Sequence, residues 1–134
     1  MTEAKKAIDD GTDDLDLIIN MERLRSKDYY YVACDIKGVI DIAHLKKVRV
    51  KVTFENSNLS EELKNAAYII SERIGADFVK TLTSFGADGV TIGDLEFMNK
   101  MYGDGVRIKA GGQFITLENA LELRNVNVVR FEEL

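Results

Sequence analysis

The sequence predicts an α/β fold built on a parallel sheet of about five strands, and two patterns carry that expectation. Short runs rich in Val, Ile and Phe alternate with amphipathic segments, an order that joins consecutive strands in parallel through right-handed crossovers. The fragments Arg49-Val50-Lys51, Phe78-Val79-Lys80 and Arg107-Ile108-Lys109 then recur at equal spacing, as a repeated βα unit would. A doubly wound sheet and part of a (β/α) barrel both satisfy these patterns, and neither pattern chooses between them.

The elements follow in order. Strands are expected over Asp16–Ile19, Val48–Phe54, Phe78–Thr83, Val106–Ala110 and Asn127–Phe131. Val32, Ile36, Val39, Ile40 and Ala43 draw one apolar stripe along a helix from Asp28 to Ala43. Leu63, Ala66, Ala67, Ile70 and Ile74 do the same from Ser60, which is placed as an N-cap, with Gly75 as the stop. Thr91 and Thr116 are expected to cap two more helices, which carry Leu95, Met98 and Met101, and Leu117, Ala120 and Leu121. Asp9 and Asp10 read as a helix end, and Asp13 and Asp14 as solvent-facing loop acids.

Composition narrows the function classes. The 134 residues are 46% hydrophobic and 31% charged, with no Pro and no Ser/Gly-rich linker, so residues 1–134 are expected to form a single domain with a modest core. Net charge is −5 and the basic residues are scattered, which argues against a nucleic-acid partner. No apolar run approaches the roughly 18–20 residues of a membrane span, and no secretory h-region is visible. The single Cys34 has no intrachain partner, and the expected location is the reducing cytoplasm.

The chemistry-bearing residues are lysines in strands. Burying a charged lysine is costly, so each of these either reaches solvent at a strand end or has its proton affinity lowered. Lys80 and Lys109 fall near the carboxyl ends of their strands, where parallel α/β folds bind substrates. An amine is nucleophilic near pH 7 only when it sheds its proton well below the ordinary ~10.4, and a second ammonium close by promotes this. Lys80 is the candidate amine and Lys109 the candidate neighbour. Asp16, a carboxylate in an apolar strand, needs a cation and is the candidate acid–base partner. Tyr29-Tyr30-Tyr31 point in different directions on a helix and read as ordinary packing; Cys34 and His44 are given no catalytic role.

These residues carry a resemblance. From Ala4 to about Arg130 the chain resembles the C-terminal portion of the deoxyribose-phosphate aldolase family, Schiff-base aldolases on a TIM (β/α)8 barrel. Lys5-Lys6-Ala7-Ile8 through Asp16-Leu17-Ile18-Ile19-Asn20 is similar to the family's helix and fourth strand. Val50-Lys51-Val52-Thr53-Phe54-Glu55 is similar to the fifth strand, Gly75-Ala76-Asp77-Phe78-Val79-Lys80-Thr81 to the sixth and Arg107-Ile108-Lys109-Ala110 to the seventh. The resemblance implies a barrel lineage truncated to about five parallel βα units. It implies a Schiff base at Lys80, tuned by Lys109, with Asp16 in proton relay, and no metal or organic cofactor. The family reaction joins acetaldehyde to glyceraldehyde 3-phosphate and, in reverse, serves deoxyribonucleotide catabolism. Thr81, Thr83, Gly111 and Gly112 then border a substrate site, with Lys51 and Glu55 at most in support.

The sequence also departs from the family. The glycine after strand six is Ser84, the loop after strand seven reads Ala110-Gly111-Gly112-Gln113, and the last strand runs into Glu132-Glu133-Leu134. Carboxylates beside a phosphate dianion repel it, which argues against phosphosugar binding and leaves a small aldehyde or deoxysugar. Gly111-Gly112 reads either as a small anion nest or as a loop pair permitting a tight turn. Five units do not close an eight-stranded barrel, so a homo-oligomer or a complementing chain is expected to cover the open wall. A catalytic aldolase and a degenerate, non-catalytic remnant that binds partners both fit this sequence.

Overall fold

Alternation along the second expected strand divides the molecule into two chemically different faces. In the computed structural model, which describes residues 1–54, 59–80, 107–112 and 128–133, β2 (Arg49–Thr53) buries Val50 and Val52 completely on one side. Arg49, Lys51 and Thr53 take the other side, as the period of two requires. β1 (Asp14–Ile18) and β3 (Phe78–Lys80) repeat the division in register: Asp14 pairs with Arg49, Asp16 with Lys51 and Thr53 with Lys80. Leu15, Leu17 and Val79 therefore join the apolar face, and Asp14, Asp16, Phe78 and Lys80 the other.

The helices cover the apolar face. α3 (Tyr29–Leu45) lays Val32, Ile36, Ile40 and Ala43 on it, and α4 (Glu61–Ile74) adds Ala67 and Tyr68 to the same core. Tyr68 meets the Phe54 ring edge-on, with centroids 5.1 Å apart. The expected ends of α4 are observed: Ser60 accepts from the Leu63 N–H, and Gly75 adopts φ +92°, a left-handed stop that favours glycine. α1 (Thr2–Asp9) packs on α3, and a short helix not expected from periodicity, α2 (Met21–Arg25), packs against α3 and α4, capped by Asn20 and burying Leu24.

β4 (Arg107–Gly112) and β5 (Val128–Glu133) complete a five-stranded sheet, parallel throughout, in the order β1-β2-β3-β4-β5. A doubly wound sheet reverses its strand order and carries helices on both faces. Consecutive order with α3 and α4 on one face is instead the pattern of a barrel wall, which decides between the two architectures.

Several expectations are corrected at this level. Asp14 is not a loop acid but the first residue of β1, where Arg49 opposite gives it a cation. β4 runs on through Gly111 and Gly112, so the pair is extended strand and neither a tight turn nor a nest. Between Ile108 and Lys109 the register slips by one residue, leaving Val129 extra in β5. The two helices expected after Thr91 and Thr116 lie outside the described residues, as do Thr81, Thr83, Ser84 and Glu55.

Candidate active site

On the charged face, neighbouring strands set alternating charges side by side. Arg49 Nε lies 2.7 Å from Asp14 Oδ1, and the other oxygen of Asp14 lies 3.4 Å from Lys51 Nζ. Lys51 is also 3.4 Å from Asp16 Oδ1, and Asp16 Oδ2 is 3.8 Å from Lys80 Nζ. The two lysine side chains are only 8% and 12% exposed, whereas Asp16 is 46% exposed. A nine-tenths-buried ammonium is tolerated where carboxylates face it, and Lys51 has two. Asp16 thus serves two lysines at once, one through each oxygen.

The sequence-derived candidates separate clearly. Asp16 and Lys80 are brought together, and Lys51, given only a supporting part, stands on the strand between them and pairs with both Asp14 and Asp16. Lys109 is the Cα partner of Lys80 on β4, at the same height on the adjacent strand. Arg130 is in turn the Cα partner of Lys109. Gly111 and Gly112 pair with Glu132 and Glu133, so the candidate phosphate loop is a ladder beside two acidic positions.

Asp14 and Arg49 were not among the candidates. The signal for Asp14 was available: Asp14 and Asp16 are two apart and share a strand face, which loop assignment obscured. Arg49 precedes Lys51 by the same step, a second cation on that face. Thr53 Oγ1, next to Lys80 in register, is buried without a hydrogen-bond partner.

The residues set aside as non-catalytic lie elsewhere. His44, in the last turn of α3, places Nε2 2.8 Å from Asp77 Oδ2, which also accepts from the Val50 N–H at 2.8 Å. That clasp sits just before β3, at the opposite end of the strand from Lys80. Tyr29 is half-buried against the core, Tyr30 is exposed, and Tyr31 stacks under the Arg23 guanidinium, 4.4 Å from its ring centre. A hydrogen bond with the exposed Cys34 raises the Tyr30 hydroxyl above the ordinary phenol range, and charge on the thiol adds to it. A groove of about 600 Å³ runs between α1 and α3, lined by Met1, Ile8, Ile42 and Leu45; neither Asp16 nor Lys80 lines it. Among the described residues, no cluster of three or more His, Cys, Asp or Glu is placed to hold a metal ion. None of their helices is long and apolar enough to cross a membrane.

Comparison with known proteins assigns this wall of strands. The chain is 46% identical over 121 residues to a deoxyribose-phosphate aldolase of Thermococcus kodakarensis, a stretch that covers 90% of this chain and 54% of the relative. The chain is homologous to about half of a deoxyribose-phosphate aldolase. A deoxyribose-phosphate aldolase of Clostridium perfringens matches at 43% over 118 residues, 88% of this chain and 52% of its own length. The chain therefore spans about half the length of the curated relatives it matches. Among solved structures, an aldolase superposes with a TM-score of 0.90 at 28% identity, covering 98% of this chain and 59% of the other. A tetrameric deoxyribose-phosphate aldolase of Aeropyrum pernix superposes at 0.84 with 21% identity, over 98% of this chain and 55% of the other. These superpositions place the sheet in the aldolase barrel lineage. No protein-family model matches the chain.

Proposed function

We propose that this chain carries the catalytic wall of a class I aldolase, a carbon–carbon lyase that works through a Schiff base at Lys80. The observation that carries the reading is the Asp16 carboxylate shared between Lys51 at 3.4 Å and Lys80 at 3.8 Å. In this reading the unprotonated Lys80 amine adds to an aldehyde carbon, water leaves, and a protonated imine remains. The imine accepts the electron pair released when the neighbouring carbon–carbon bond breaks, and Asp16 moves the protons that addition and cleavage require. Lys51, held by two carboxylates, is the cation on the strand between Asp16 and Lys80, and Lys109 is the register partner of Lys80 on the next strand.

The proposed substrate is 2-deoxyribose 5-phosphate or a related aldol, in line with the relatives' name, and the proposed setting is cytoplasmic deoxyribonucleotide catabolism. A homo-oligomer is proposed as well, and one structural relative is described as a tetramer. One observation favours a second reading, that of a non-catalytic relative. Gly111 and Gly112 are taken into β4 opposite Glu132 and Glu133, which disfavours a phosphate there.

Borohydride trapping with acetaldehyde separates the two. A reduced ethyl adduct mapped to Lys80, and lost in Lys80→Ala, supports the enzyme. Diffuse labelling of surface lysines, unchanged in that variant, refutes it.

A further inference from the structure

Thr53 is the last residue of β2 and the Cα partner of both Ile18 and Lys80. It stands two residues beyond Lys51, on the same face of the sheet. Only 2% of it is exposed, and its Oγ1 is fully buried with no hydrogen-bond partner. A β-branched residue suits a strand interior, but valine would fill the same shape without a hydroxyl to leave unsatisfied. The polar atom thus costs stability and returns nothing to the fold itself. Its residue is the register partner, on the adjacent strand, of the lysine that the Schiff-base reading makes the nucleophile.

We infer that the Thr53 hydroxyl is the oxygen-binding group of the Lys80 site, taking the oxygen of the carbonyl that Lys80 attacks. The inference rests on the Schiff-base reading. As Lys80 Nζ bonds to the carbonyl carbon, the carbon–oxygen π pair moves onto oxygen, which takes one proton from Nζ and becomes the carbinolamine hydroxyl. Thr53 donates a hydrogen bond to that oxygen and keeps its own proton. The carbon–oxygen bond then breaks, the proton that Asp16 took from the Lys80 ammonium at the outset makes the leaving oxygen water, and the nitrogen lone pair closes the protonated imine. The site's ligand class is a small carbonyl compound, and its hydrogen bond meets the Thr53 hydroxyl's unsatisfied demand.

The test is Thr53→Val, which keeps the shape, beside Thr53→Ser, which keeps the hydroxyl. Each is compared with wild type by the rate of acetaldehyde trapping at Lys80 and by Tm. Thr53→Val is expected to slow Lys80 labelling about five- to tenfold while raising Tm by roughly 2–4 °C, because the unsatisfied hydroxyl is gone. Thr53→Ser is expected to label within about twofold of wild type. A purely structural role would move Tm and leave the labelling rate alone. Labelling of Thr53→Val at the wild-type rate, or a fall in its Tm, overturns the inference while the Lys80 reading stands. A wild-type chain that forms no adduct at Lys80 removes both.

Discussion

Lys51 is the most deeply buried charge among the described residues, and neutralising its two carboxylates one at a time and together gives a sharp prediction. Its Nζ lies 3.4 Å from Asp14 and 3.4 Å from Asp16 while its side chain is 8% exposed. At an effective dielectric of about 40, between bulk water and the near-surface value, each attraction is roughly 2.4 kcal/mol. In Asp14→Asn or Asp16→Asn the ammonium turns to the remaining carboxylate, so each single substitution should cost only about 1 kcal/mol. In the double variant Lys51 has neither, and the cost should approach the roughly 3–5 kcal/mol of a buried ion deprived of its partner. The coupling is therefore at least about 1 kcal/mol beyond additivity. Urea denaturation of the four proteins, with unchanged m values, measures it. Additive losses within about 0.5 kcal/mol would show that the two carboxylates do not share Lys51, and the account of Asp16 as a bridge would fall.

Other substitutions test the scaffold. Asp77→Ala removes the acceptor for His44 and for the Val50 N–H, and should cost about 2 kcal/mol in denaturation while leaving any Lys80 adduct intact, since the clasp sits at the far end of the strand. Gly75→Ala forces a side chain onto φ +92° and should destabilise by about 1 kcal/mol, even though a Cβ there would meet no atom within 4 Å; a neutral variant would refute the strain argument. Asn20→Ala removes the cap on the Arg23 N–H and should cost about 1 kcal/mol, read as a lowered urea midpoint, with Asn20→Ser restoring most of it. Ile36→Ala, at a completely packed position of α3, should cost roughly 2–5 kcal/mol by the same measurement.

The apolar half of the fold was legible because it obeys simple periods. Val32, Ile36 and Ile40 repeat at helical spacing and are buried, and Ser60 and Gly75 bound their helix as local hydrogen bonding and left-handed geometry demand. α2 was missed because five residues are too few for an apolar period; its only signal was Asn20 as a cap. The strand order was not readable from alternation, which fixes connection but not neighbours. The pairing of Asp16 with Lys80 was foreshadowed by the cost of burying charge, which requires a carboxylate in a strand to meet a cation. That of Asp14 with Arg49 was not, because their meeting depends on parallel register between strands 35 residues apart. The place of Gly111 and Gly112 was misjudged for a related reason: glycine signals a turn locally, while pairing with β5 extends the strand.

The consecutive strand order also bears on how the chain reaches its native state. Each ladder from β1 to β4 joins strands separated by only about thirty residues, and no described strand waits for a distant one to be inserted beside it. Loop closure is the entropic toll of forming such pairs, and it grows only slowly with the length enclosed. Assembly can therefore proceed by accretion, with β1, α3 and β2 joined first and each later strand added to an existing edge. The growing edge is always the one that the next stretch of polypeptide reaches soonest.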